Sequence, residues 1–491
     1  MEMVIAFTNN DKITYNSMIR TWIEKRMQYL SYYYTRHVRK LGELAGVEVR
    51  NKIKPLSESK NPLKWGDINY HLSNRIVTST QLFKLLPKLV EKKHAIDRII
   101  DKGYKLSLLP LNYLLGHEVY NQFIPPEDYY LPHITKSIDP YGIYKSDTCL
   151  INVGKEAWLA SYKFPHTLLV NIHGYCPIGC SDCYKSYYTR ECHTIEMGVN
   201  DIDDASAKGL TIQLKNLVHW LNKNPEVYDV IISGGEPLVR SNDHIRIVLS
   251  SLRHAKHLKI LRLCTGTLFL GLPFRFDDNL LDIMEEFEQD TAIRIRIHAH
   301  ISNWKQISPE AVVAVCKIRA RGIPIYTQVP IREGLNYFSD DLNKTLDYFV
   351  RLGKTEAILG LEPYMFIADM HPRTNRYYVA IEPLLKLWCA LVETHNYPGI
   401  ERPRSLSILC EQGNVILSGP LILAMRKFID KESSLISYQI PAPSFLSGQI
   451  SDKNITEQRF LTYREPLIEG KNDDPNSLSD LQRIWNKSCK R

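Results

Sequence analysis

Short apolar runs and amphipathic stretches alternate from residue 167 onward, and this alternation limits the fold more than any other feature of the chain. The runs that are as short as strands cover residues 167–172, 229–233, 260–263, 292–297, 324–329 and 357–366. The stretches that have helical length and periodicity cover residues 205–221, 244–255, 279–287, 309–321 and 340–352. A strand followed by a helix, repeated about six times, predicts parallel βαβ units.

Six such units form a partial barrel or an open sheet, whereas a complete (β/α)8 barrel needs eight. We predict an α/β fold, a partial (β/α)6 barrel of parallel strands, over residues 161–435. Helical spacing of apolar residues predicts an N-terminal helical region over 1–110, and the Pro- and Tyr-rich stretch 111–160 reads as a linker. Residues 436–491 mix polar residues with isolated apolar ones and are predicted to form a C-terminal extension that wraps the barrel.

Composition narrows the class of protein. The 491 residues contain no run of eighteen apolar residues, so no membrane span is predicted. The first residues carry no basic flank before their short apolar stretch, so we predict no signal peptide and a cytoplasmic location. The net charge is +8, but the basic residues are scattered, which is typical of solvated helix faces rather than of a nucleic-acid surface.

Three of the ten cysteines, Cys176, Cys180 and Cys183, lie within eight residues directly after the first predicted strand. Three thiolates on one tight loop can each bind one iron of a [4Fe–4S] cluster and leave the fourth iron open. An open metal position is reactive, whereas structural sites are closed. A zinc site completed by His173 or His193 is the alternative, although zinc more usually takes paired Cys-x2-Cys ligands.

A second motif follows the second predicted strand, where the chain reads Ser-Gly-Gly-Glu-Pro from Ser233 to Pro237. With the Cys-x3-Cys-x2-Cys loop before it, this segment resembles the Gly-Gly-Glu element of the radical S-adenosylmethionine (SAM) superfamily. The resemblance implies that Gly234, Gly235 and Glu236 form the loop whose backbone receives the amino group of SAM. It also implies a [4Fe–4S] cluster that cleaves SAM to a 5′-deoxyadenosyl radical, which then abstracts hydrogen from a substrate.

Further residues resemble the lysine 2,3-aminomutase branch of that superfamily, over residues 60–420. The resemblance implies that Thr265, His298 and Gln328, which lie near the ends of predicted strands, contact SAM. The sequence departs from that of the branch at Gly266, where the family has an arginine. The resemblance implies an aminomutase-like enzyme that catalyses an isomerisation or a related radical reaction.

The resemblance fails at the residues that would bind pyridoxal phosphate (PLP). The family places a Schiff-base lysine in a Gly-rich run, but the matching stretch 410–420 has no lysine, and Lys427 follows only later. The family's Arg-Tyr-Pro-Asp-Arg element reads Lys-Phe-Pro-His-Thr at residues 163–167. We therefore predict that PLP is not bound, with a PLP-dependent amino acid 2,3-aminomutase that uses another lysine as the alternative.

The predicted substrate pocket also differs. The family follows its third cysteine with Thr and several arginines, the first of which holds the substrate carboxylate, whereas this chain has Tyr184 and Lys185. Lys185 could hold an anion, but without the bidentate fork of arginine. Asp369 and Glu411 lie near two family acids of the substrate pocket, the first of which holds the substrate ammonium group. The resemblance thus implies a small polar, amino-acid-like substrate.

The class of partner follows from the same resemblance. A cluster of this kind is reduced by an electron donor of the flavodoxin or ferredoxin type. Long helical N-termini mediate assembly in related enzymes, so a homo-oligomer is one alternative for the state of assembly. A metal- or nucleic-acid-binding protein that uses the basic N-terminal helices is the alternative from another class, but no RRM, KH or finger motif supports it.

Overall fold

The computed structural model describes most of the chain from residue 160 onward. The described residues are 80, 151–152, 160–164, 166–174, 176, 206–270, 272–302, 304–307, 309–334, 336–368, 379–393, 405–410, 413–417, 419–441, 460–467 and 473–488. Nearly all of the predicted N-terminal region 1–110 and linker 111–160 therefore lies outside the described residues. The division of the chain into four units stays a prediction.

In the described part of the chain, ten strands form one sheet in chain order. They are β1 Ile151–Asn152, β2 Ala160–Phe164, β3 Thr167–Asn171, β4 Asp229–Ser233, β5 Ile260–Thr265, β6 Arg294–His300, β7 Ile325–Pro330, β8 Glu362–Ala368, β9 Ser405–Cys410 and β10 Gly413–Leu417. From β3 to β9 every strand runs parallel to the next one, and antiparallel pairs occur at both ends. The prediction of a mainly parallel α/β sheet is confirmed.

The sheet curves, because residues of β10 lie within 8 Å of residues of β2, Cα to Cα. An unbroken order of neighbours together with this approach of the two ends is what a barrel requires.

Helices connect the parallel strands. They are α1 Ser206–Lys223, α2 Asn242–Leu252, α3 Thr267–Leu270, α4 Asp278–Asp290, α5 Pro309–Ala320, α6 Leu342–Leu359 and α7 Ile381–Trp388, and a short π-helical segment, Cys389–Glu393, continues α7. Five of them match the helical stretches predicted from periodicity. Because crossovers between parallel neighbours are right-handed, they place consecutive helices on one side of the sheet.

The predicted strand over 357–366 is wrong in its first part, because α6 continues to Leu359. Gly360 ends the helix with a left-handed φ of 63°, and its N–H and that of Leu361 bond back to the last helical turn. A short apolar run does not distinguish a buried helix end from a strand. The strand begins only at Glu362.

The two faces of the parallel strands differ in chemistry. One face packs against the helices and supplies the core, with Val230, Ile232, Leu261, Leu263 and Ile297 among its buried residues. The opposite face, which we call the inner face, carries the alternate residues of the same strands. These include Asp229 on β4, Arg262 and Cys264 on β5, Arg296, His298 and His300 on β6, and Tyr326 and Gln328 on β7. The polar chemistry of the sheet is thus concentrated on its inner face.

A second, antiparallel sheet follows the first. It consists of β11 Arg426–Asp430, β12 Leu435–Pro441 and β13 Phe460–Pro466, and α8 Gly419–Ala424 and α9 Ser477–Ser488 flank it in sequence. Among the described residues, no helix has both the length and the apolar character that a membrane span needs.

A buried polar network ties this second sheet to α7. Lys427 Nζ lies 2.7 Å from Glu382 Oε1, and both side chains are almost fully buried. Tyr438 Oη lies 2.9 Å from Glu382 Oε1 and 3.0 Å from Glu465 Oε1, and the other Glu465 oxygen accepts a hydrogen bond from the Ile381 N–H. Burial, with the two adjacent carboxylates, raises the pKa of Tyr438, which stays a neutral phenol.

Candidate functional site

The loop after β3 carries the first of the three cysteines. Cys176 is half-buried. Cys180 and Cys183 lie outside the described residues, so their positions relative to Cys176 are not described, and the cluster site stays a prediction.

The loop after β4 packs directly on the segment that leads to Cys176. Gly235 N–H donates to His173 O at 2.7 Å, and Ile172 N–H donates to Ser233 O at 3.1 Å. Gly234 has a φ of +126°, and a Cβ at this position would overlap the carbonyl oxygen of His173. Only glycine can adopt this backbone at so close an approach. The cysteine loop and the Gly-Gly-Glu loop, 58 residues apart between Cys176 and Gly234, are therefore held against each other.

Glu236 joins the same loop to the end of β5. Its carboxylate is buried and accepts hydrogen bonds from Leu238 N–H at 3.3 Å, Thr265 Oγ1 at 2.8 Å and Gly266 N–H at 2.7 Å. Burial raises the pKa of Glu236 to about 7, although these hydrogen bonds act in the opposite direction. The carboxylate thus positions the loop after β4 relative to that after β5.

This burial predicts a pH-dependent stability. Between pH 4.5 and about 7 the folded state holds the Glu236 proton more tightly than the unfolded state does. The free energy of unfolding therefore falls as pH rises through this window, by about 3 kcal/mol from this group. Denaturant unfolding at pH 5 and pH 8 should show a smaller pH-dependent change for Glu236→Gln than for the wild type. Parallel pH profiles for the two proteins would rule this out.

Thr265 is also part of this contact. Its hydroxyl lies 2.6 Å from that of Thr267 and accepts the Thr267 N–H at 3.0 Å, in addition to its bond to Glu236. The Thr265 side chain thus supports Glu236. The predicted contact of Thr265 with SAM stays a prediction.

His298 and Gln328 come together on the inner face from adjacent strands. Gln328 Nε2 lies 3.4 Å from His298 Nδ1, and the His298 ring stacks on Tyr326 with 5.3 Å between ring centroids. Burial, reinforced by the positive charges of Arg262 and Arg296, holds the pKa of His298 well below its usual range. The imidazole is therefore neutral near pH 7 and has one donor and one acceptor nitrogen.

The sequence alone did not identify two residues near this site, His300 and Asn336. His300 lies on the same face as His298, one pleat nearer the strand end, and is the register partner of Gln328. Only the two-residue period of β6 would have suggested it. Buried Asn336 donates to Ser302 O at 3.0 Å and to Pro330 O at 2.7 Å, and so ties the loops after β6 and β7 together.

The three predicted substrate residues, Lys185, Asp369 and Glu411, lie outside the described residues. Their roles stay predictions.

Comparison with known proteins identifies the relatives of the chain. No family model matches it. It is 27% identical over 297 residues to a protein of Aquifex aeolicus provisionally named an L-lysine 2,3-aminomutase, a match that covers 59% of this chain and 71% of that protein. It is 22% identical over 321 residues to the glutamate 2,3-aminomutase of Clostridioides difficile, covering 64% and 67% of the two chains. The L-lysine 2,3-aminomutase of Methanococcus maripaludis is 23% identical over 317 residues, covering 62% and 67%.

These likenesses show that the chain is similar to enzymes named 2,3-aminomutases, at 22–27% identity. The resemblance predicted from the motifs, to the lysine 2,3-aminomutase-like branch of the superfamily, is confirmed by its named relatives.

Proposed function

We propose that the chain is a radical SAM enzyme in which Cys176, Cys180 and Cys183 hold a [4Fe–4S] cluster. In this proposal the loop Gly234–Glu236 binds SAM together with Thr265, His298 and Gln328. The carrying observation is the contact between Gly235 N–H and His173 O, since it seats the proposed SAM loop beside the loop of Cys176. The half-buried thiol of Cys176 has the donor chemistry that iron requires.

A reduced cluster, when bound, supplies the electron for cleavage of SAM, whose 5′-deoxyadenosyl radical abstracts hydrogen from the substrate. Around it, the residues of this chain bind and orient. The neutral His298 and Gln328 offer hydrogen bonds without adding charge, and Glu236 holds the two flanking loops in place. Closure of β3–β8 into a partial (β/α)6 barrel, supported by the approach of β10 to β2, would exclude water from this chemistry.

We further propose that the reaction proceeds without PLP. Lys427 follows the stretch that matches the family's lysine, and its Nζ lies 2.7 Å from Glu382 Oε1, 2.7 Å from Asp474 O and 2.9 Å from Ser477 Oγ. An ammonium group has three donors, and here each has an acceptor. A Schiff base needs an accessible amine, and the side chain of Lys427 is almost fully buried, so Lys427 does not fit this role.

The named relatives act on lysine and glutamate, which favours a small amino-acid-like substrate for this chain. The names share a 2,3-aminomutase reaction, which favours a rearrangement as the outcome of hydrogen abstraction in this chain. Reduction of the cluster would come from a donor of the flavodoxin or ferredoxin type.

Formation of 5′-deoxyadenosine tests the proposal. Anaerobically reconstituted, dithionite-reduced protein with SAM should form it, whereas Cys176→Ala and Cys183→Ala should fall to the level of the protein-free reaction because a cluster ligand is lost. Cys316→Ala, which removes a thiol from α5, is the matched control and should retain both iron content and product. Iron-loaded wild type that forms no 5′-deoxyadenosine with lysine or glutamate present would contradict the proposal.

The absence of PLP has its own test. Borohydride treatment of protein incubated with PLP should leave no phosphopyridoxyl-lysine in peptide maps, and added PLP should leave the yield of 5′-deoxyadenosine unchanged. A labelled lysine together with a PLP-dependent rise in product would instead establish a PLP-dependent aminomutase.

A further inference from the structure

Two arginines lie side by side on the inner face. Arg262 on β5 and Arg296 on β6 are direct register partners in the parallel sheet. Like charges in paired positions on adjacent strands repel each other unless anions accompany them. Two negative charges on the inner face are therefore needed to compensate the charges of the two arginines.

One of these charges is present. Asp229, which is 2% exposed, accepts a hydrogen bond from Arg262 Nε at 2.9 Å and a second one from the Nη2 of the same guanidinium. Thr167 Oγ1 donates to the same carboxylate at 3.1 Å. Asp229 thus accepts two hydrogen bonds from Arg262. It interacts with Arg296 only at longer range, through the electrostatic attraction between the two charges.

Arg296 is in a different situation. Its guanidinium lies over the Tyr326 ring, 5.6 Å from the centroid. Among the residues that the structure describes, no carboxylate comes within ion-pair distance of it, and this includes Glu362, the register partner of Tyr326. A guanidinium over an aromatic face is attracted by the ring, and this contact leaves its N–H groups able to donate to other acceptors. Arg296 is half-buried, so these donors are partly shielded from water.

The position of Arg296 relates it to the proposed SAM contacts. It lies on the same face of β6 as His298, one pleat further from the strand end, and Tyr326 contacts both residues. A ligand that reaches past His298 into the interior of the curved sheet would meet Arg296 next.

We propose that Arg296 binds a carboxylate of the substrate, in the place of the arginine that this chain lacks after its third cysteine. The inference rests on the proposed function and specifies its substrate class as a carboxylate-bearing compound. The guanidinium fork matches a carboxylate with two parallel hydrogen bonds, and the anion complements the second arginine of the pair. Tyr326 acts as a positioning residue, since the Arg296 guanidinium lies over its ring.

Calorimetric titration of the cluster-loaded protein with SAM present tests this directly. The probes are L-lysine and L-glutamate and their α-carboxamides, in which the α-carboxylate is neutralised. We expect at least one amino acid to bind the wild type, and Arg296→Gln to weaken that binding by about 10- to 100-fold, as for loss of a charge-assisted contact. Arg296→Lys should retain part of the affinity, because it keeps the charge but not the fork.

The matched control is Arg294→Gln, which removes an exposed arginine from the same strand and should leave the affinity unchanged. The α-carboxamide should bind the wild type more weakly and lose nothing further in Arg296→Gln, since the two changes remove the same interaction. The proposal is overturned if neither amino acid binds the wild type, if Arg296→Gln binds like the wild type, or if amino acid and amide lose affinity equally.

Two further measurements keep the result interpretable. Iron content and far-ultraviolet circular dichroism of Arg296→Gln should equal those of the wild type, and Arg296→Lys serves in its place if they do not. Cysteine-dependent 5′-deoxyadenosine is assayed in the same samples. Its absence alongside Arg296-dependent binding would reject the radical chemistry but not the carboxylate site, and the reverse pattern would reject only the site.

Discussion

Replacing Asp229 with Asn is expected to lower the free energy of unfolding by about 3–5 kcal/mol, the usual cost of removing one partner from a buried ion pair. The side chains of Asp229 and Arg262 are 2% and 12% exposed, so little water reaches the arginine when its carboxylate partner is removed. Burial raises the pKa of Asp229 in spite of Arg262, which shows how strongly desolvation acts at this position. Denaturant unfolding monitored by circular dichroism measures the loss.

A surface pair supplies the matched control. Arg321 lies 2.7 Å from Asp282, whose side chain is 55% exposed. Asp282→Asn should cost less than about 1 kcal/mol, since exposed ion pairs contribute little. The double change Asp229→Leu with Arg262→Met should recover most of the loss from Asp229→Asn, because neither charge of the pair then stays buried. Equal costs for the buried and exposed substitutions would contradict this account of the pair.

Gly234→Ala is expected to cost about 2–6 kcal/mol, the sum of a strained backbone conformation and an overlap that only backbone movement can relieve. The added Cβ meets the carbonyl oxygen of His173, which already accepts the Gly235 N–H. The two loops must therefore separate, and the proposed cluster and SAM sites would separate with them. We expect loss of 5′-deoxyadenosine formation and a lower unfolding midpoint.

Gly322→Ala separates the two causes. Gly322 also has a positive φ, +75°, but a Cβ there would meet nothing within 4 Å. It should therefore cost only about 1–2 kcal/mol, from the left-handed conformation, and leave product formation intact. If Gly234→Ala lost no more stability and no more product formation than Gly322→Ala, the close approach of Gly234 to His173 would not be needed for function.

The parallel sheet was predictable because its signal is local. Buried strands such as β4 are short apolar runs, and helices such as α4 show an apolar stripe at helical spacing, so each unit can be recognised from its own residues. The same locality explains the error at residue 357, where the end of α6 and a strand share one apolar run. The cysteine spacing and the Gly-Gly-Glu element are local too, and the named relatives confirmed the class that they predicted.

What the sequence determined by itself was the order of strands and helices and the resemblance to the 2,3-aminomutases. Tertiary structure alone decided which side chains meet. The pairing of Asp229 with Arg262, the position of Arg296 over Tyr326 and the contact of Lys427 with Glu382 join residues 30 to 45 positions apart. Such contacts depend on strand register and on the curvature of the sheet. Both are set by packing of the whole core, which no single segment of the chain encodes.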